Sequence, residues 1–321
     1  ARAEDLGEHV INMHTSRRAP APTAAGWSGY LDYQLSAFQS GGSDLGYGLA
    51  PTLNLSYGNW NFRSSHDYQN TGRDDDWLRT GTTLTLDQPE LMARTTLGDI
   101  TPSAGALSRS RAMAGIGFSR QFEMQPDFSS SPSFNASTAV TTSSTAEIYL
   151  NGQRVNTVDL APGMYTFEDL RYYSGMQDVT MVIKDSYGRS QTVSMPFYYD
   201  DALLKAGLHE FSYNVGMARV PGSFNQYDGL AYSAYHRVGV TDWLTLGAQA
   251  DGANDDRTAG AVARLKLGDY GVLATTFSQA QHADGSQGTA ALAHYRYEAQ
   301  KFNVYVSGQQ QSEHYIESSD W

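Results

Sequence analysis

Apolar and polar side chains alternate along much of this chain, and that period of two restricts its fold more than any other property. Phe211, Tyr213, Val215 and Met217 alternate with Ser212, Asn214 and Gly216. Ala259, Ala261, Ala263, Leu265 and Leu267 alternate with Gly260, Arg264 and Lys266, and Ala291, Ala293, Tyr295 and Tyr297 with His294, Arg296 and Glu298. Near the start, Trp27, Leu31, Tyr33, Leu35 and Ala37 are interleaved with Ser28, Asp32, Gln34 and Ser36. Successive side chains of a strand point to opposite faces, so each segment has one apolar and one polar face. The segments run about 9–12 residues, the length of a tilted strand crossing bilayer hydrocarbon. Roughly six precede residue 125 and roughly seven follow residue 208, with polar turns such as Gly268-Asp269 between them.

Composition agrees with membrane strands. No run approaches the ~18–20 consecutive apolar residues of a spanning helix. Charged residues make up only 17%, and there are 31 Gly and 21 Tyr. Four of the five Trp (Trp27, Trp60, Trp77 and Trp243) stand where strands are expected to open, and Trp321 is placed to open another. Aromatic girdles at the two membrane interfaces would put them there, although Trp also favours strands in general. The net charge of −12 argues against a nucleic-acid partner, and the absence of Cys excludes disulfides and thiolate metal sites.

The alternation breaks off in the middle. Residues 126–145, rich in Ser, Thr, Pro and Ala, read as a linker, as do residues 1–26. Between residues 146 and 199 lie about five short strands with their own apolar set, including Ile148, Leu150, Val179, Met181 and Ile183. Asn151-Gly152 marks a two-residue hairpin turn. The expected organisation is therefore a linker (1–26), a first strand group (27–125), a linker (126–145), a small β-sandwich (146–199) and a second strand group (200–321). The fold class is all-β.

The stretch AEIYLNGQRVNTVDLAPGMYTFEDLRYYSGMQDVTMVIKDSYGRSQTVSMPFYYD closely resembles the plug domain of the outer-membrane ushers. Its flanks, GFSRQFEMQP and LLKAGLHEFSYNVGMAR, do so as well. The likeness rests on the order Asn-Gly, Pro-Gly, Asp-Leu, Asp-x-x-Gly, Leu-Leu-x-x-Gly-Leu, and extends from about Trp27 to the end. It implies part of a transmembrane antiparallel β-barrel with an inserted β-sandwich plug after its sixth strand, in the Gram-negative outer membrane. It also implies, as partners, periplasmic chaperone–subunit complexes, pilus subunits and outer-membrane lipid, with a homodimer as a candidate assembly of the full-length protein. The function implied is translocation of pilus subunits through a plug-gated pore, with no enzymatic activity and no cofactor.

Size bears on this independently. An insert of about 55 residues has a compact diameter of roughly 26 Å. A barrel of thirteen strands, at about 2 Å of diameter per strand, leaves roughly 16 Å clear, too narrow for the insert, whereas the twenty-four strands that the resemblance implies leave roughly 38 Å, which holds it. On the resemblance, the charges of the insert (Arg154, Asp159, Glu168, Asp169, Arg171, Asp178, Lys184 and Arg189) are candidates for holding the gate shut. Asp32, Arg63, Arg79, Arg264, Lys266, Arg296 and Glu298 are the candidate lumen-facing wall. No catalytic or metal constellation can be assembled: His209, His236, His282 and His294 lack ligand spacing, and the Asp74–Asp76 and Asp251–Asp256 clusters lack that of a calcium loop. Two alternatives stay open here, a plugged porin or transporter of another family and a surface all-β adhesin. The adhesin predicts strands of ~5–6 residues and a Val/Ile core.

Overall fold

The computed structural model describes residues 8–12, 24–39, 45–70, 75–102, 105–108, 110–125, 128–132, 134–170, 175–200, 202–220, 223, 225–299 and 301–315. Regular structure among them is β-strand apart from two short 3-10 turns, at Pro89–Leu91 and Phe122–Met124. The first strand, β1 (Glu8–Asn12), lies outside the main sheet.

That sheet has thirteen antiparallel strands. Six come first: β2 (Ala24–Phe38), β3 (Gly46–Gly58), β4 (Trp60–Asn70), β5 (Asp75–Gln88), β6 (Ala93–Ile100) and β7 (Met113–Arg120). Residues 134–199 carry β8 (Phe134–Val140), β9 (Ser144–Leu150), β10 (Gln153–Leu160), β11 (Gly163–Leu170), β12 (Gly175–Asp185) and β13 (Ser190–Tyr199). Seven more strands complete the large sheet: β14 (His209–Arg219), β15 (Tyr227–Thr241), β16 (Leu244–Ala253), β17 (Asp256–Lys266), β18 (Val272–Gln281), β19 (Gln287–Glu298) and β20 (Asn303–Gln311). Its strands pair in chain order, and β7 pairs directly with β14, Val215 opposite Ile116, so β8–β13 leave no gap. β2 and β20 form its two edges.

The faces of this sheet reverse the usual arrangement of a water-soluble protein. Ser212, Asn214, Ser233, Asp251 and Ser278 are buried on one face, while Tyr213, Val215, Met217, Leu230 and Phe277 are exposed on the other. In water, exposing such a band forfeits the hydrophobic term that folds a soluble sheet. The buried polar face, called inner below, carries internal hydrogen bonds: Ser233 Oγ donates to Asp251 Oδ1 at 2.7 Å and Asn214 Nδ2 to Ser212 Oγ at 2.9 Å. The β6–β7 connection also lies on it, Ser108 Oγ reaching Asp251 Oδ2 at 2.6 Å and Leu107 O accepting from Tyr315 at 2.6 Å.

Aromatic residues of the outer face pack together at two levels, with others such as Tyr33 and Phe277 between them. Trp27 packs against Tyr57 at a centroid distance of 5.1 Å, and Tyr57 is opposite Trp60. Tyr68 packs between Tyr47 and Trp77 at 6.1 and 6.0 Å. Tyr47 and Tyr57 are ten residues apart on β3, which at ~3.3 Å per residue and a tilt of ~40° is about 25 Å of height, the thickness of a barrel's apolar band. Antiparallel order puts Trp243 at the level of Trp27 and Trp60. Trp27 and Trp77 lie inside strands and Trp243 in a turn, not at first positions as expected; Trp321 lies outside the described residues.

Residues 134–199, joined by β1, form two small sheets, β1-β11-β8 and β10-β9-β12-β13, around one apolar core. Val140 and Phe167 come to it from the first, Ile148, Val179 and Met181 from the second. Asn151 and Gly152 both have positive φ, 50° and 80°, as the two-residue turn between β9 and β10 requires. Two stretches expected to be linkers contain strands. Glu8–Asn12 is β1, and Phe134–Val140 is β8, whose Ala136 and Val140 enter the core. Small and hydroxylated neighbours conceal the alternation of β8, and β1 is held by pairing with a strand some 150 residues away in sequence.

Candidate functional site

The small unit returns to the large sheet through residues 197–208, and this strap lies against the inner face of β15–β19. Its backbone is anchored at several points. Leu204 N donates to Thr245 Oγ1 at 2.9 Å, Ala206 N to Asp242 Oδ1 at 3.0 Å, and Gly207 N to Gly239 O at 2.7 Å. Gly239 has no Cβ because one there would collide with the carbonyl oxygens of Leu204 and Lys205. Tyr198, Leu203 and Val272 form a small buried cluster beneath.

Three of the residues expected on the lumen wall meet the strap and the end of β13. Arg296 donates to Asp200 Oδ2 at 2.6 Å, Arg264 donates to Ala202 O at 2.7 Å, and Lys266 Nζ sits 4.3 Å from the Phe197 ring centroid. All three project from the inner face by alternation, which is what lets one strap engage them together. Glu298 follows Arg296 on the same face of β19. Arg79 lies elsewhere: with Arg219 and Tyr227 it surrounds the Asp99 carboxylate, joining β5, β6, β14 and β15. Asp32 is opposite Thr52 and Arg63 opposite Asn54, away from the strap.

Of the charges expected to hold the gate, the five whose side chains are described have partners within the small unit. Glu147 takes Lys184 at 2.9 Å and Arg154 at 3.6 Å, and Arg189 takes Asp185 at 2.7 Å. Asp178 accepts from Ser194 and Asp159 from Thr145, both at 2.9 Å. The Lys184 ammonium, with the Tyr149 hydroxyl, holds the Glu147 carboxyl below its ordinary range. Glu168 and Asp169 belong to β11, their side chains outside the description, and Arg171 lies outside the described residues. The acid at the junction is Asp200, which alternation could not single out because it follows the last strand residue. His209 Nδ1 and His236 Nε2 come within 2.8 Å across β14 and β15, a pairing that sequence spacing does not reveal. No group of three or more metal-ligating side chains forms among the described residues.

Because Asp200 is almost fully buried (2% exposed) and Arg296 is 35% exposed, their truncations differ. Arg296→Ala strands a buried carboxylate, and the loss expected is about 3 kcal/mol of hold between strap and sheet. Asp200→Ala leaves a guanidinium that rehydrates, so the expected loss is smaller. Rates of proteolytic nicking of the strap in the full-length protein should rank the two in that order.

Residues 49–320 match the family model described as outer membrane usher protein. The chain is similar to the outer membrane usher protein LpfC of Salmonella typhimurium, with 26% identity over 69% of this chain and 28% of that protein. It is similar to the F1 capsule-anchoring protein of Yersinia pestis, with 25% identity over 79% and 30%. It thus spans under a third of the length of these relatives. The solved translocation pore of the usher PapC shares the fold, with a TM-score of 0.52 and 17% identity, over 90% of this chain and 64% of that one. So does a chain of the E. coli P pilus tip assembly intermediate PapC-PapD-PapK-PapG, with a TM-score of 0.58 and 18% identity, over 89% and 36%. With the family model covering most of its length, this chain belongs to the outer membrane usher family.

Proposed function

We propose that this chain is the pore-and-plug portion of an usher that passes chaperone-delivered pilus subunits through the outer membrane and assembles them outside. In this reading the thirteen-stranded sheet is part of a closed barrel, and residues 134–199 are a β-sandwich plug. The observation that carries the wall is the reversal of faces, large apolar residues outward and buried hydrogen-bonded polar residues inward, with aromatic levels about 25 Å apart. Closure removes the open edges of β2 and β20, which would otherwise template aggregation. Turns such as Asp242-Trp243 are shorter than the twelve-residue β6–β7 connection at the opposite end, so the end carrying the small unit is assigned to the periplasm.

A folded client suits this lumen, since mixed charges such as Glu210, Arg237 and Arg264 do not trap a client of either sign. The chaperone–subunit partners are carried over from the usher assembly named above. Spin labels in the full-length protein test the wall. Labels at Ala261, Ala263 and Leu265 should report lipid, and labels at Arg264 and Lys266 water. Loss of that alternation would remove the barrel.

A further inference from the structure

The strand β1 precedes the whole large sheet in the chain, yet it is built into the small unit. It lies parallel to β11, with Glu8 opposite Met164 through Asn12 opposite Glu168. Ile11 packs on the shared core opposite Phe167, which is completely buried, and His9 stacks on Tyr165 at a centroid distance of 5.1 Å. Val10, between them, points away and is 59% exposed. A five-residue parallel strand has little stability of its own, so the core face must hold it. Here that face is Ile11 and His9. On its other side β11 pairs with β8, so without β1 it would be a bare edge along the core.

We infer that the outer edge of β11 is a docking surface for the chain segment ahead of the first wall strand, and that docked β1 is a latch restraining the plug. The inference rests on the gate reading above. β1 ends at Asn12 and β2 begins at Ala24, so the chain between them spans at most about 40 Å. A docked β1 therefore ties the small unit to within that reach of the foot of β2. This is a third tether, besides the chain that enters the small unit from β7 and the strap that leaves it at residues 197–208. Travel of the small unit pulls on the chain upstream of Glu8, and tension from upstream acts on the gate.

Two pairs of variants in the full-length protein test the latch; this chain has no Cys of its own, and any cysteine outside it is first replaced by serine. Val10→Cys with Thr166→Cys joins register partners on neighbouring strands, about 4.8 Å apart and inside the ~4.4–6.8 Å range of a disulfide. It should oxidise as readily as Ser137→Cys with Thr166→Cys, which joins β8 to β11. Ile11→Asp places a charge against the core and should raise the open fraction of the reconstituted channel several-fold, with faster hydrogen exchange in β11. Val10→Asp, the same charge on the exposed face, should change neither. Failure of the Val10/Thr166 pair to oxidise where the Ser137/Thr166 pair does would show that β1 is not docked. Equal behaviour of Ile11→Asp and wild type would show that β1 restrains nothing. Either outcome leaves the gate itself standing if removal of residues 134–199 opens the channel, so failure of the latch and failure of the gate are separable.

Discussion

Removing residues 134–199 from the full-length protein should convert a mostly closed channel into one that conducts continuously. The unit removed is compact, with a diameter of about 28 Å expected for its length. A barrel with that much room clear of its inward side chains needs roughly nineteen strands or more, so the unit's absence leaves an aqueous hole wide enough for a folded domain. The wall does not depend on it, because β7 and β14 hydrogen-bond to each other directly. The cut is also geometrically mild. Ser130 O accepts from Lys205 N at 2.9 Å, so the chains entering and leaving the small unit lie side by side and a short Gly/Ser linker joins them. Planar-bilayer recordings of the deletion and parent proteins provide the measurement. A deletion protein that folds, inserts and stays closed would defeat the gate and leave a structural appendage in its place.

How far the sequence alone could reach depended on the range of the interaction. Six strands before the small unit and seven after it were legible because alternation is local: each residue's face follows from its neighbours, as in β14 with Ser212 and Asn214 inward and Tyr213 and Val215 outward. Arg264, Lys266 and Arg296 were placed on the inner face for the same reason, and they are the residues that meet the strap. What pairs with what was not legible. Arg154 and Lys184 are charged and exposed, and nothing local says that both turn to Glu147 in their own sheet and not to the wall. Asp99, which gathers Arg79, Arg219 and Tyr227 from three other strands, is invisible until the register of β5, β6, β14 and β15 is known. β1 is the extreme case: EHVIN is too short to read as a strand, and only Tyr165 and Phe167 make it one.

The outer face supplies the other large effect. Ala261 lies near the middle of β17, opposite Ala248 and Phe277, on the face where Phe277 is 53% exposed. If that face meets hydrocarbon, Ala261→Arg places a guanidinium near the bilayer midplane, and the expected cost is about 2–4 kcal/mol. Val262 is the next residue and faces inward, into a cavity of about 400 Å³ lined also by Glu210, Arg237 and Gln249. An arginine there has water and the Glu210 carboxylate within reach of its long stem, so Val262→Arg should cost no more than about 1 kcal/mol. Guanidinium unfolding of the full-length protein from lipid vesicles measures both. The contrast matters more than either value: one step along a strand exchanges lipid for water only when a closed wall separates the two. In an open sheet bathed in water on both faces, the surface alanine would accept the charge at little cost, and the half-buried valine would suffer more. A result in that order would remove the membrane wall, and with it the reason for exposed Tyr213, Met217 and Leu230 on a face with no other partner among the described residues.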